Sequence, residues 1–154
     1  MIARWQEQVK PDDEVWALGD FFFCGASEAK SIMNQLPGRI NLVYGNHDKT
    51  IRNAPDLQRK FASIQEYKEL HTPQGTFILF HYPIQEWDMM HRGAIHLYGH
   101  IHNKSSGVPG KTLNVCIDSP DLQTEVPYSL FSIDDVIRAV DRLSERPHHG
   151  KIIL

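Results

Sequence analysis

The sequence has little cysteine, and this scarcity excludes one class of small protein. Only Cys24 and Cys116 occur among the 154 residues, far apart and without the spacing of a metal site. A disulfide framework is therefore not expected, because disulfide-stabilised domains carry several closely spaced cysteines. The same scarcity predicts a cytoplasmic location, where thiols stay reduced.

Long apolar runs and an excess of one charge are also missing. No run approaches the roughly 20 apolar residues of a membrane span, and no basic segment followed by an apolar one opens the chain. The 16 Lys and Arg residues are balanced by 19 Asp and Glu residues, for a net charge of -3. This balance indicates neither a membrane surface nor duplex nucleic acid as a partner. A small phosphorylated substrate stays compatible, because bound metals can supply positive charge locally.

Internal repeats and low-complexity segments are absent too, so we expect one domain over residues 1–154. Hydrophobic residues make up 41% of the chain, which is enough for a buried core. Strands alternate with helices early and follow one another later. This order predicts an α/β fold, a layered α/β sandwich of mixed β-sheets flanked by helices.

Apolar periodicity predicts where the elements lie. Helices are expected over the first residues, over 27–36 and after Ser132, which is spaced from Asp135 as in a capping box. The expected strands cover 15–18, 40–44, 64–70, 76–80, 94–98, 112–117 and 128–131.

Nine histidines are present, and several follow expected strands. Four of these strands end in the same way, with an apolar run that delivers a side chain able to bind a metal. These side chains are Asp20, Asn46 (followed by His47 and Asp48), His81, and the pair His100 and His102. Ligand sites in open α/β sheets lie outside the carboxyl ends of the strands, so we expect these side chains to meet.

The donor atoms of this set are nitrogen and oxygen, which favours manganese, iron, zinc or a similar divalent ion over a thiolate site. Two such ions would clamp a phosphoryl group and lower the pKa of a bound water. Each motif taken alone has a plainer interpretation. The Gly-Asp pair is common in turns, as are single Asn and Asp residues such as Asn46 and Asp48. A histidine pair can be purely structural.

The motifs in their order resemble those of the calcineurin-like metallophosphoesterase family. They are Gly19-Asp20, Gly45-Asn46-His47-Asp48, His81 and Gly99-His100-Ile101-His102. The resemblance implies a metal-dependent phosphoesterase that hydrolyses a phosphomonoester or phosphodiester with a metal-activated water, using up to two divalent metal ions. The implied partner is a small phosphorylated substrate, with nucleic acid considered only as a substrate.

The resemblance also implies a role for each residue. Asp20 would bridge both ions, Asn46, His81 and His100 would complete one of them, and His102 would bind the other. His47 would protonate the leaving group or stabilise the transferring phosphoryl group. Asp48 would orient the imidazole of His47.

One motif of the family has no counterpart here. The family's first strand ends in Asp-x-His, but the only aspartates before Asp20 are Asp12 and Asp13, in a turn, and no histidine precedes His47. We therefore expect an N-terminally truncated form that lacks the first strand, with one well-occupied metal and an uncovered sheet edge that leaves a homodimer open. The alternative function is a catalytically impaired, metal-binding remnant that acts as a non-enzymatic interaction protein.

Overall fold

The computed structural model describes residues 1–119, 121–122 and 129–144. Within these residues the chain forms two β-sheets, five α-helices and a short 3-10 helix, Met90–Arg92. The helices are α1 (Ile2–Gln8), α2 (Ala26–Met33), α3 (Lys49–Arg52), α4 (Pro55–Gln58) and α5 (Ile133–Ser144). The strands are β1 (Glu14–Ala17), β2 (Arg39–Val43), β3 (Ser63–Gln65), β4 (Tyr67–Thr72), β5 (Gly75–Phe80), β6 (Ile95–Tyr98) and β7 (Thr112–Asn114).

The first sheet has the order β1-β2-β3, and its strands are all parallel. Side chains alternate across its two faces, as strand geometry requires. Ile40 and Leu42 pack with residues of α2, α3 and α4, whereas Val43 packs on the opposite side. Among the described residues β1 pairs only with β2, so its other edge is unpaired; the homodimer stays a prediction.

The second sheet has the order β4-β5-β6-β7 and is mixed. β4 and β5 form an antiparallel hairpin that turns between Thr72 and Gly75, and β5, β6 and β7 run parallel to one another. Because β5 and β6 are parallel neighbours, the residues that follow them emerge at the same edge of the sheet.

A shared apolar core joins this sheet to the first one and to α5. It is built from one face of each element: Val43, Phe77, Leu79, Ile95, Leu97, Leu113, Leu122, Val136, Ala139 and Val140. The expected layered α/β arrangement is therefore present: α2, α3 and α4 pack on one face of the first sheet, and α5 packs in the core shared by the two sheets. In the described part of the chain, no helix combines the length and the apolar character needed to cross a bilayer.

Three expected strands differ from the structure. The strand expected over 112–117 ends at Asn114, whose side chain accepts the backbone N–H of Cys116 instead of a ladder hydrogen bond forming there. Residues 64–70 form two strands in different sheets, β3 and β4, because the chain changes sheet at the exposed Glu66. The strand expected over 128–131 is wrong for residues 129–131, which form no strand. The side chain of Gln8 bonds the backbone N–H and carbonyl of Leu130 and takes the place of a neighbouring strand. Tyr128 and the unassigned tail, 147–154, lie outside the described residues.

Candidate metal centre

The loops that follow β1, β2, β5 and β6 converge at one place, and two glycines allow the close approach. Gly19 has a left-handed backbone (φ +83°), and a Cβ there would lie 2.5 Å from the Gly45 nitrogen and from the His81 Nδ1 atom. A Cβ on Gly45 would overlap Asp20. Only glycine fits where two backbones are this close, so the Gly-Asp and Gly-Asn pairs have a packing reason.

Asp48 fixes these loops to one another. Its carboxylate is fully buried and accepts backbone N–H groups from Gly45 at 2.7 Å, Asp20 at 3.0 Å and Phe21 at 2.8 Å. Hydrogen bonds to a charged acceptor are stronger than neutral ones. The resemblance implied a contact between Asp48 and the imidazole of His47, and no hydrogen bond joins these two described side chains. Asp48 instead holds the backbone of the residues that carry the site.

His81 is oriented by a backbone carbonyl. The ring is 1% exposed, and its Nδ1 atom lies 2.7 Å from the Leu18 oxygen. A carbonyl oxygen can only accept, so Nδ1 carries the hydrogen and Nε2 of the neutral ring presents a lone pair. That Nε2 atom faces Asn46 Oδ1 at 2.9 Å and Asp20 Oδ2 at 3.4 Å.

In this tautomer of the neutral ring, three electron-pair donors point at one another, because His81 Nε2 then has no hydrogen to share with Asn46 or Asp20. His100 joins the group, because its Nδ1 atom lies 3.0 Å from the same Asn46 Oδ1. Ligand atoms of Asp20, His81 and His100 all lie within 4.8 Å of one another. Facing lone pairs repel, and a divalent cation between them would attract all of them. Asp20, Asn46, His81 and His100 thus have the donor chemistry and the placement to hold such an ion.

The electrostatics of His100 suit metal binding. Burial lowers the pKa of this imidazole, and the nearby His81 lowers it further, while Asp20 acts in the opposite direction. A lowered pKa keeps the ring neutral, which is the form that ligates a metal. His100 also adopts a left-handed backbone (φ +67°), a strained conformation for a non-glycine residue that is typical of functional sites.

His47 lies beside this group without joining it. Its backbone N–H donates to Asp20 Oδ1 at 2.8 Å, and its exposed ring lies against Phe23, with centroids 5.6 Å apart. The charge of a protonated His47 acts on His100, so the two imidazoles are close enough to interact. An exposed imidazole next to a candidate cation is available for proton transfer to a bound substrate.

His102 lies at the margin of the site. Its Nδ1 atom contacts Asp118 Oδ2 at 3.0 Å, and it lines the same groove as Asp20 and His100. The two aspartates that precede β1 are at the wrong end of that strand to serve here. Asp13 bonds the backbone N–H of Lys10 at 2.8 Å, whereas Asp20 follows the opposite end of β1.

Several residues of this arrangement carried no signal in the sequence. The Leu18 carbonyl that orients His81 is a backbone group, which no residue pattern reveals. Asn114, which is fully buried, donates to the His102 carbonyl at 2.5 Å. Asp118 directly follows the strand expected over 112–117, and no motif of the sequence includes it. Each strand-end motif can be recognised from a few neighbouring residues, whereas these supporting contacts depend on how the strands pack.

Comparisons with known proteins agree with this geometry. The family model described as the calcineurin-like phosphoesterase superfamily domain matches residues 1–126. The Gene 66 protein of Mycobacterium phage D29 is 30% identical, over 94% of this chain and 83% of its own length. An uncharacterized protein of Methanocaldococcus jannaschii is 27% identical, over 92% of this chain and 74% of its own length.

A solved structure is similar as well. A protein of unknown function from Aquifex aeolicus superposes with a TM-score of 0.64 at 25% sequence identity, covering 92% of this chain and 82% of the other. None of these three names states a substrate, so the reaction has to be argued from the site.

Proposed function

The chain belongs to the calcineurin-like phosphoesterase superfamily, and on that premise we propose that it hydrolyses a phosphomonoester or phosphodiester with the help of a divalent cation. The observation that carries the proposal is the close approach of side-chain nitrogen and oxygen atoms of Asp20, Asn46, His81 and His100, with contacts of 2.9–3.4 Å. We propose manganese, iron or zinc as the ion, since nitrogen and oxygen donors suit all three.

The cation would neutralise charge on the phosphoryl group and make a water more acidic. The chain itself supplies position. Leu18 holds the ring of His81 through Nδ1, and Asp48 holds the backbone of Asp20 and Gly45. Phosphoryl transfer depends mainly on placement and charge stabilisation, so these contacts favour a ready-made site over one that forms only around the ion.

His47 is the group that we assign to proton transfer. Its backbone is fixed to the proposed ligand Asp20, while its ring stays exposed beside Phe23. A proton held on this imidazole would pass to the oxygen of the leaving group. General acid catalysis of this kind contributes roughly 10²- to 10⁴-fold to a rate.

Two neighbouring residues provide a matched test. Asn46→Ala should weaken manganese binding and abolish hydrolysis of bis(p-nitrophenyl) phosphate, because it removes the oxygen shared by two imidazoles. His47→Ala should keep the bound manganese and lose hydrolysis by about 10²- to 10⁴-fold. His71→Ala, an exposed histidine of the β4–β5 hairpin, serves as the control and should leave both properties unchanged.

Rates and metal content are measured on the same preparations. Manganese-dependent hydrolysis that survives in His47→Ala would refute the assigned role of His47. Manganese binding without hydrolysis of any phosphoester offered would instead support the non-enzymatic remnant.

A further inference from the structure

One short segment holds His102 at two points. The buried Asn114 donates to the His102 carbonyl at 2.5 Å, and its own Oδ1 atom accepts the Cys116 N–H at 3.1 Å. Two residues further on, Asp118 Oδ2 lies 3.0 Å from His102 Nδ1. Both the backbone and the ring of His102 are therefore positioned by the residues that end and follow β7.

The backbone contact stabilises an unfavourable conformation. His102 has a left-handed backbone (φ +54°), a strained conformation for a non-glycine residue that persists only where its surroundings hold it. The ring contact has a different significance. The side chains of His102 and Asp118 are 67% and 48% exposed, and pairs this exposed contribute little to stability. The contact with Asp118 therefore matters for orientation rather than for folding.

A carboxylate beside Nδ1 selects one tautomer of the neutral ring. Asp118 accepts the hydrogen on Nδ1, so Nε2 carries the lone pair that can bind a metal. Metal-binding histidines commonly donate their other ring N–H to a carboxylate in this manner. His102, Asp118 and Asp20 line one groove. Cys116 lines the same groove, and both carboxylates act with burial to raise the pKa of its thiol.

We propose that Asp118 is a positioning residue, which presents Nε2 of His102 to a second divalent cation shared with Asp20. This inference rests on the proposed function, because the second cation would lie beside the one held by Asn46, His81 and His100. The second ion should be bound more weakly than the first, since His102 and Asp20 are the two side chains that we assign to it within the described residues.

Calorimetric titration of the metal-stripped full chain with manganese tests the inference. Wild type should show a tight and a weak binding event. Asp118→Ala should keep the tight event and weaken the other by about 10- to 100-fold. Asp118→Glu should restore most of the loss, and Asp12→Ala, an exposed turn aspartate with the same change in charge, should behave as wild type.

The outcomes separate the two proposals. If the weak event is equal in wild type and Asp118→Ala, the role of Asp118 is overturned and the proposed function stands. A single binding event in wild type has the same two consequences. No manganese binding in wild type overturns both proposals.

The tautomer gives a readout that needs no metal. Long-range ¹H–¹⁵N spectra, recorded above the ordinary histidine pKa of about 6.5 and assigned with His102→Gln, show which ring nitrogen carries the hydrogen. We expect the hydrogen on Nδ1 of His102 in wild type and Asp118→Glu, and a shift towards Nε2 in Asp118→Ala. An unchanged tautomer in Asp118→Ala would overturn the proposal even if that variant bound manganese differently.

Discussion

His96 is fully buried in β6, with its ring between those of Trp87 and Tyr98 at centroid distances of 5.3 Å. Nδ1 lies 3.1 Å from the Ile78 carbonyl, and Nε2 lies 3.2 Å from the Tyr82 carbonyl and 3.3 Å from the Ile84 backbone nitrogen. Both ring nitrogens are thus satisfied within the protein, and the imidazole fixes the chain just after His81. His96 therefore supports the backbone next to His81 and is not one of the proposed ligands.

This residue should make stability depend on pH. Burial lowers the pKa of His96 below the value of about 6.5 expected in the unfolded chain. The unfolded state therefore binds a proton first as the pH falls. The contribution of His96 to the free energy of unfolding should be complete above the unfolded-state pKa of about 6.5. Below that pH the free energy of unfolding should decrease by up to about 1.4 kcal/mol per pH unit, until the pKa of His96 in the folded protein is reached.

Urea unfolding of wild type and His96→Phe on both sides of this pKa checks the effect. The variant should have a shallower pH dependence, whereas His71→Phe, at an exposed position, should match wild type. Equal slopes in wild type and His96→Phe would contradict the assignment. If His96→Phe does not fold, an NMR titration of His96 in wild type gives the same answer.

At the scale of single residues, the sequence indicated which side chains meet at the edge of the sheets but not the groups that hold them in place. Asp20, Asn46, His81 and His100 could be chosen because each follows an apolar strand, and parallel strands bring their ends together. For Asp48 the resemblance implies His47 as the partner, whereas its carboxylate accepts three backbone N–H groups. A motif reveals that a carboxylate is present, whereas the N–H groups that it meets depend on the packing of two loops.

At the scale of elements, α5 begins with the capping box that the sequence predicted. Ser132 Oγ accepts the Asp135 N–H at 3.2 Å, and Asp135 Oδ2 accepts the Ser132 N–H at 2.9 Å. The hydroxyl of Ser132 also donates to Asp135 Oδ2 at 2.6 Å. These hydrogen bonds with Ser132 lower the pKa of Asp135. Two N–H groups that a helix start leaves unpaired are thereby satisfied.

Ser132→Ala should lower the free energy of unfolding by about 1 kcal/mol, the usual cost of losing such a cap. The effect should reach the whole domain, because Val136, Ala139 and Val140 of α5 belong to the core shared with both sheets. Urea denaturation measures it, with Ser105→Ala in an exposed loop as the comparison. A loss no greater than that of Ser105→Ala would show that the cap does not stabilise the helix.

Strand prediction succeeded where apolar runs were bounded by glycine and failed where the chain passes from one sheet to the other within a single stretch. β1, β2, β5 and β6 lie close to their expected positions. The division of residues 64–70 depends on the change of sheet at Glu66, which pairs with Arg52 of α3 at 2.8 Å. Such a partner in another element cannot be inferred from the local pattern.

At the scale of the whole molecule, the fold should persist without metal. The core between the sheets and the contacts of Asp48 do not involve the proposed ion. We expect chelation with EDTA to leave the far-UV circular dichroism spectrum unchanged. Manganese at about 100 times its Kd should then raise the free energy of unfolding by about 2.7 kcal/mol, as measured by urea denaturation.

Asn46→Ala provides the comparison, since it removes a proposed ligand at an exposed position and should abolish most of this gain. Loss of the helical signal on chelation would mean that the ion supplies folding energy, as in small zinc domains.

The three backbone N–H groups bound by Asp48 have a consequence for the choice of ion. They join the segments of Asp20 and Gly45, so moving the side chains of Asp20 and Asn46 apart would break these hydrogen bonds. Short bonds of about 2.0–2.2 Å, as formed by zinc with imidazole and carboxylate ligands, suit donor atoms that are held close together. Calcium takes oxygen ligands, with bonds of about 2.3–2.6 Å, and is therefore disfavoured by the imidazole nitrogens of His81 and His100 as well as by its longer bonds.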